Sequence, residues 1–130
     1  MTWRAAIAAI RSKKLELARL DPRRGMPVLP PVGATPRQIE GAERKLGRAL
    51  PPSYRELLAV HDGWPELLHG ASLLSAHHLA RGMFDGVARS VIDVGDRPAE
   101  LVAFGADTAG ETVFAWDASR PRDDGELEVV

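Results

Sequence analysis

The chain contains no cysteine, a single tyrosine and few aromatic residues of any kind. Without cysteine there is no disulfide framework and no thiolate chemistry, which fits a reducing cytosol. No apolar run approaches the roughly 20 residues of a membrane span. The first apolar stretch is interrupted by Arg4 and Arg11 and lacks a small-residue cleavage pattern, so it makes a poor signal peptide. Internal repeats and low-complexity blocks are missing. So are a phosphate-binding glycine loop, a nucleophile elbow and zinc-finger spacing, and no cofactor is expected. The 130 residues are read as one domain, 1–130, large enough to bury a core without staples.

Charge is nearly balanced but unevenly spread. The net value is −1, yet residues 1–25 carry seven basic and two acidic side chains, and residues 85–130 carry four and eleven. Such asymmetry bears on partners and association rates, not on fold. A basic amphipathic helix is expected from a Thr2 cap, with Trp3, Ile7, Ile10 and Leu17 as its apolar stripe. Arg4, Arg11, Lys13 and Lys14 lie mostly off that stripe. Such a helix can serve a membrane surface or nucleic acid. Few aromatics and the polar stop Asp21-Pro22 favour a core-packing helix with a solvated basic side, so neither membrane nor direct nucleic-acid binding is expected. Asp21 to Ala34 is a proline-rich connector, and Met26, Val28, Leu29 and Val32 suggest that it packs.

The most strongly patterned stretch runs from Thr35 to Gly63. Thr35 is an N-cap, Pro36 suits the first helical position, and Gln38 can close a capping box. Ile39, Ala42, Glu43 and Leu46 recur at helical spacing before Gly47, a left-handed stop. Leu50 leads through Pro51-Pro52 into a second run, where Tyr54, Leu57, Leu58 and His61 recur before Gly63. Two short helices packed as a hairpin follow, with Leu46 and Leu58 as expected core anchors.

Beyond Gly63, Trp64-Pro65 reads as the opening of a loop and Leu67 to Leu74 as a strand broken at His69-Gly70. Ser75 can cap a helix from Ala76 to about Gly82, or further if Met83, Phe84 and Val87 continue it. Val91, Ile92 and Val94 hint at a strand or a helix end, and Gly95 to Pro98 is turn chemistry. Leu101 to Gly105 and Thr112 to Asp117, joined by Asp107 to Gly110, make an antiparallel hairpin by composition. Glu126 to Val130 begins a third strand. The expectation is an α+β fold: N-terminal helices on one face of a C-terminal antiparallel sheet.

Two segments carry a resemblance. The pattern formed by Ile39, Glu43, Leu46, Gly47, Leu50, Pro51, Tyr54, Leu58 and Gly63 resembles the signature of the SUKH superfamily. That superfamily includes a fungal regulator of cell-wall synthesis and many bacterial immunity proteins. The later segment LVAFGADTAGETVFAWDAS is similar to the superfamily's strand, Phe-Gly, acidic turn, strand and Asp. Neither segment is catalytic. The chain departs from the pattern at its end: members usually continue into another strand or turn and a C-terminal helix, whereas this sequence stops at Val130. An exposed edge at Glu126 to Val130 would invite pairing with another chain.

Reactive constellations are weak. His77-His78 are adjacent, about 100° apart on a helix, and do not chelate one metal unaided. His61-Asp62 sits at a helix end, where the imidazole can meet terminal carbonyls. The acids Asp123, Asp124, Glu126 and Glu128 lack EF-hand spacing. No catalytic, cofactor or metal residue is assigned. The positive signal is an acidic surface for a partner: Asp107, Glu111, Asp117, Asp123, Asp124 and Glu126, brought together if the hairpin forms. Such a surface steers a basic partner and can mimic nucleic acid. With the resemblance, it implies a non-enzymatic cytoplasmic immunity protein that occludes a cognate basic toxin domain, a nuclease in the first instance. The alternative is an intracellular regulatory or scaffolding module.

Overall fold

The computed structural model describes residues 3–24, 30–68, 70–95, 99–107 and 112–130. The expected cap Thr2, the side chain of Trp3, the connector residues Met26, Val28 and Leu29, His69, the 96–98 turn and the hairpin turn at 108–110 lie outside them, as does Glu111.

The helical hairpin expected over Thr35 to Gly63 follows the local rules. Helix α1 spans Trp3–Leu20, α2 Pro36–Leu46 and α3 Pro52–Val60. The Gln38 amide donates to Thr35 Oγ1 at 3.2 Å, and the Thr35 amide donates to Gln38 Oε1 at 2.8 Å, which completes the capping box. Gly47 closes α2 at φ 74°, and Glu43 Oε2 accepts from the Leu50 amide at 2.7 Å across the corner. Ile39, Ala42, Leu50, Pro51, Tyr54, Leu57 and Leu58 are buried, and Leu46 is half-buried. The patterned stretch is a packing signature.

Helix α1 is anchored less fully than expected. Ile7 is buried and Ile10 half-buried, but Leu17 is 49% exposed and leaves the apolar stripe short. Its second half is held instead by Lys14, whose Nζ donates to the carbonyls of Glu66 at 2.7 Å and Leu67 at 3.1 Å. The connector packs by backbone: Val32 is 86% exposed, while the Ala34 amide donates to the Leu58 carbonyl at 2.7 Å.

The sheet has five described strands in sequential antiparallel order: β1 Trp64–Leu68, β2 Ala71–Leu73, β3 Leu101–Asp107, β4 Val113–Asp117 and β5 Glu128–Val129. The expected loop at Trp64-Pro65 is instead the first strand, and the single strand over 67–74 is the end of β1 plus β2. Trp64 is 1% exposed, and burial of that indole draws the segment into the sheet. Pro65 and a bulge fit because β1 is an edge: Glu66 takes φ 52°, and its amide donates to Ser72 Oγ at 2.8 Å.

The helical expectation after Ser75 also changes. Helix α4 covers only Ala76–Ala80, the chain turns through Gly82 and a left-handed Phe84, and α5 runs Asp85–Val91. Thus Val91 ends a helix. Helix α5 packs on β3 and β4 through Ala88, opposite Ala103 and Ala115, small residues that permit close approach. The larger cluster of Tyr54, Leu57, Leu58, Trp64, Val102 and Trp116 lies on the other face. The fold is α+β as expected, with helices on both faces of the sheet. An extra residue in β3 between Ala103 and Gly105 makes a bulge, and the Ala103 amide there donates to Asp85 Oδ1 at 2.9 Å.

Candidate partner-binding surface

The five described acids of the six expected to share one surface do not all lie on it. Asp117 ends β4 with 0% exposure, the only charged residue among the buried ones described. Its Oδ1 accepts from the amides of Glu100 at 3.2 Å and Ser119 at 3.0 Å and from the Ser119 hydroxyl at 2.6 Å. Those donors come from the two chain segments flanking the β3–β4 pair, so the carboxylate ties them together and offers nothing to a partner. By strand alternation Asp117 shares a sheet face with Val113 and Ala115, the face on which α5 packs.

Glu126 is half-buried and also engaged. Oε1 accepts from the Ser53 amide at 2.7 Å and Oε2 from the Ser53 hydroxyl at 2.8 Å. Asp123 and Asp124 remain exposed on a tight turn, closed by Gly125 N to Arg122 O and Arg122 N to Glu126 O, both 2.9 Å. Asp124 is partly neutralised by Arg122 at 3.4 Å and accepts from the Glu126 amide at 2.9 Å. Asp123 stands at the tip.

Asp107 lies elsewhere. Leu101 pairs with Asp117, so Asp107 occupies the far end of β3, about 20 Å away at ~3.3 Å per residue. Glu111 lies outside the described residues. Glu128 follows the Asp123-Asp124 turn on β5, where its Cα pairs with that of Asp117. Glu100, at the same end, is ion-paired with Arg48. Glu128 is among the C-terminal acids noted in the sequence, and the β4–β5 register sets it opposite Asp117; Glu100 is not singled out there, and its amide is brought to Asp117 by the β3–β4 pairing.

The remaining candidates have structural work. His61 Nδ1 lies 2.6 Å from the Pro31 carbonyl, a connector group instead of a helix terminus. Asp62 Oδ1 accepts from the Ala76 amide at 2.8 Å and caps α4 together with Ser75. Tyr54 donates to the Leu74 carbonyl at 2.6 Å and packs edge-on to Trp116 at 4.9 Å. Burial, with the nearby Asp62 carboxylate second, pushes the Tyr54 hydroxyl well above the ordinary tyrosine range. His77 and His78 are exposed, and among the described residues no three potential ligands converge on a metal position. No helix among the described residues is long and apolar enough to cross a membrane.

One concave feature had no counterpart in the sequence argument. A groove of about 450 Å³ runs between α2 and α4, with Gly41, Arg44 and Lys45 on one wall and Ala76, His77 and Ala80 on the other.

No curated protein matches the chain. The model of the SMI1 / KNR4 family (SUKH-1) matches residues 33–130. That range takes in the α2–α3 hairpin and the whole described sheet, and leaves α1 outside. The chain belongs to the SMI1 / KNR4 family (SUKH-1).

Proposed function

We propose that the chain is a single-domain, non-enzymatic immunity protein that binds a cognate bacterial toxin in the cytoplasm and occludes it. A basic nuclease domain is the partner class that the charge distribution favours. The observation that carries this reading is the family match over residues 33–130, a family in which the sequence resemblance leads to immunity proteins. The chemistry agrees: the motif residues Tyr54, Leu58 and Glu43 are spent on packing and capping, which leaves binding as the task of the surface.

The surface assigned to the basic partner is the Asp123-Asp124 turn, with Glu128 on the strand that follows it. Asp107 stands apart, at the opposite end of β3. Exposed carboxylates on a short, hydrogen-bonded turn keep their geometry in the free protein, which limits the ordering cost of association. Charge of that kind accelerates encounter more than it deepens affinity.

The test is a pull-down from lysate of the source organism, with this protein as bait, at low and moderate salt. Recovery of one toxin at near-stoichiometric yield supports the reading. Recovery of several housekeeping or signalling proteins overturns it in favour of a regulatory or scaffolding module.

A further inference from the structure

We infer that the groove between α2 and α4 is a second docking site, for an extended acidic peptide segment of a partner protein, held by Arg44 and Lys45. This site lies away from the Asp123-Asp124 turn and stands whether or not the toxin reading does. The first observation is charge. Arg44 and Lys45 are exposed in the last turn of α2, and neither is engaged in an ion pair among the described residues. The acid on the groove lining is Asp62, and its carboxylate is already committed to the Ala76 amide. Two cations against this one carboxylate leave the charged side chains of the groove lining net positive.

The second observation is Gly41. Glycine inside a helix costs stability relative to alanine, and it is normally retained where a Cβ would collide with something. Here the nearest atom to an added Cβ is a guanidinium nitrogen of Arg44 at 3.8 Å, an ordinary contact. No internal packing requires Gly41. It does widen the groove, whose floor and far wall are the alanines Ala42, Ala76 and Ala80. A shallow small-residue floor lets a peptide backbone lie close, and the flanking cations select carboxylates on that peptide.

The probe is a fluorescein-labelled peptide of alternating Glu and Ala, followed by fluorescence anisotropy against the whole chain. Controls are the same peptide with Gln for Glu, and a single-stranded oligothymidine. The double variant Arg44→Gln with Lys45→Gln is expected to weaken binding of the Glu peptide about tenfold or more. Gly41→Ala should weaken it severalfold while the thermal midpoint holds or rises, a combination that misfolding does not produce. Asp123→Asn should leave peptide binding unchanged, which separates this site from the proposed toxin-binding turn. Equal binding of the Gln peptide, tighter binding of the oligonucleotide, or wild-type affinity in the double variant overturns the inference.

Discussion

The carboxylate of Glu126 grips Ser53 through both oxygens, one on the amide at 2.7 Å and one on the hydroxyl at 2.8 Å. Helix α3 begins at Pro52 after Pro51, which makes no side-chain cap of its own. Its first amides would otherwise lack partners. A negative group from 73 residues further along the chain satisfies one of them and faces the positive end of the helix dipole. The loop before β5 is thereby fastened to the helical layer.

Glu126→Ala should therefore lower stability by about 1–2 kcal/mol, the cost of losing a cap. Denaturant unfolding followed by tryptophan fluorescence checks it. An unmoved midpoint would mean that the carboxylate is free after all and available to a partner.

Asp123 and Asp117 should separate cleanly. Charge reversal at Asp123 is expected to slow association with a basic partner and flatten its salt dependence, with stability unchanged, since the side chain stands at the turn tip. Asp124 is a poorer probe because it also holds Arg122 and the Glu126 amide. Asp117→Ala should instead cost about 1–3 kcal/mol through buried amides left without an acceptor. Stopped-flow association across ionic strength and thermal melts read the two effects; an on-rate indifferent to Asp123 at every salt concentration sinks the acidic-turn surface.

Leu58 and Leu46 differ in burial, and their alanine variants should differ too. Leu58 is 0% exposed at the centre of the larger cluster, so Leu58→Ala should cost about 2–5 kcal/mol. Leu46 is only half-buried and should lose less than Leu58, on the order of 1–2 kcal/mol. Equal losses at the two sites would show that α2 and α3 contribute alike to the core.

The α2–α3 hairpin was legible because its signals are local: a capping box, a left-handed glycine and apolar residues at helical spacing. The β3–β4 pair was legible for the same reason, through composition and alternation. Asp117 misled because alternation alone does not reveal whether a second layer covers the other face. That layer, α5, starts after a left-handed Phe84 that no propensity anticipates. Strand β1 was hidden by Pro65, which argues against a strand until its edge position is known. The groove between α2 and α4 arises from tertiary packing, and Gly41 within a helical pattern was its one local sign.

Tyr54 supplies a pH test. Its hydroxyl is held above the ordinary tyrosine value of about 10, burial being the main cause, so folding favours the protonated form. The resulting stability is fully present below the unfolded value and declines as pH rises above it. Because Tyr54 is the single tyrosine, phenolate absorbance reports this group alone. The absorbance should appear together with loss of the folded tryptophan signal during alkaline titration. Phenolate forming in the intact fold near the ordinary value would refute the buried position.

Gly63 and Gly47 both take positive φ, 81° and 74°, but for reasons that alanine substitution can tell apart. At Gly47 a Cβ would meet nothing within 4 Å, so Gly47→Ala should carry only the backbone penalty, about 1–2 kcal/mol. At Gly63 it would stand 2.7 Å from the Ser75 amide nitrogen and 2.9 Å from the Leu73 carbonyl oxygen, where α3 hands the chain to β1 beneath the start of α4. Backbone atoms on that junction cannot yield without moving the Asp62 cap and the β1–β2 pairing. Gly63→Ala should then cost clearly more than Gly47→Ala, by roughly 1–3 kcal/mol of added overpacking. Paired melts decide it: equal losses would mean that the junction relaxes and that the family glycine is kept for its dihedral angle alone.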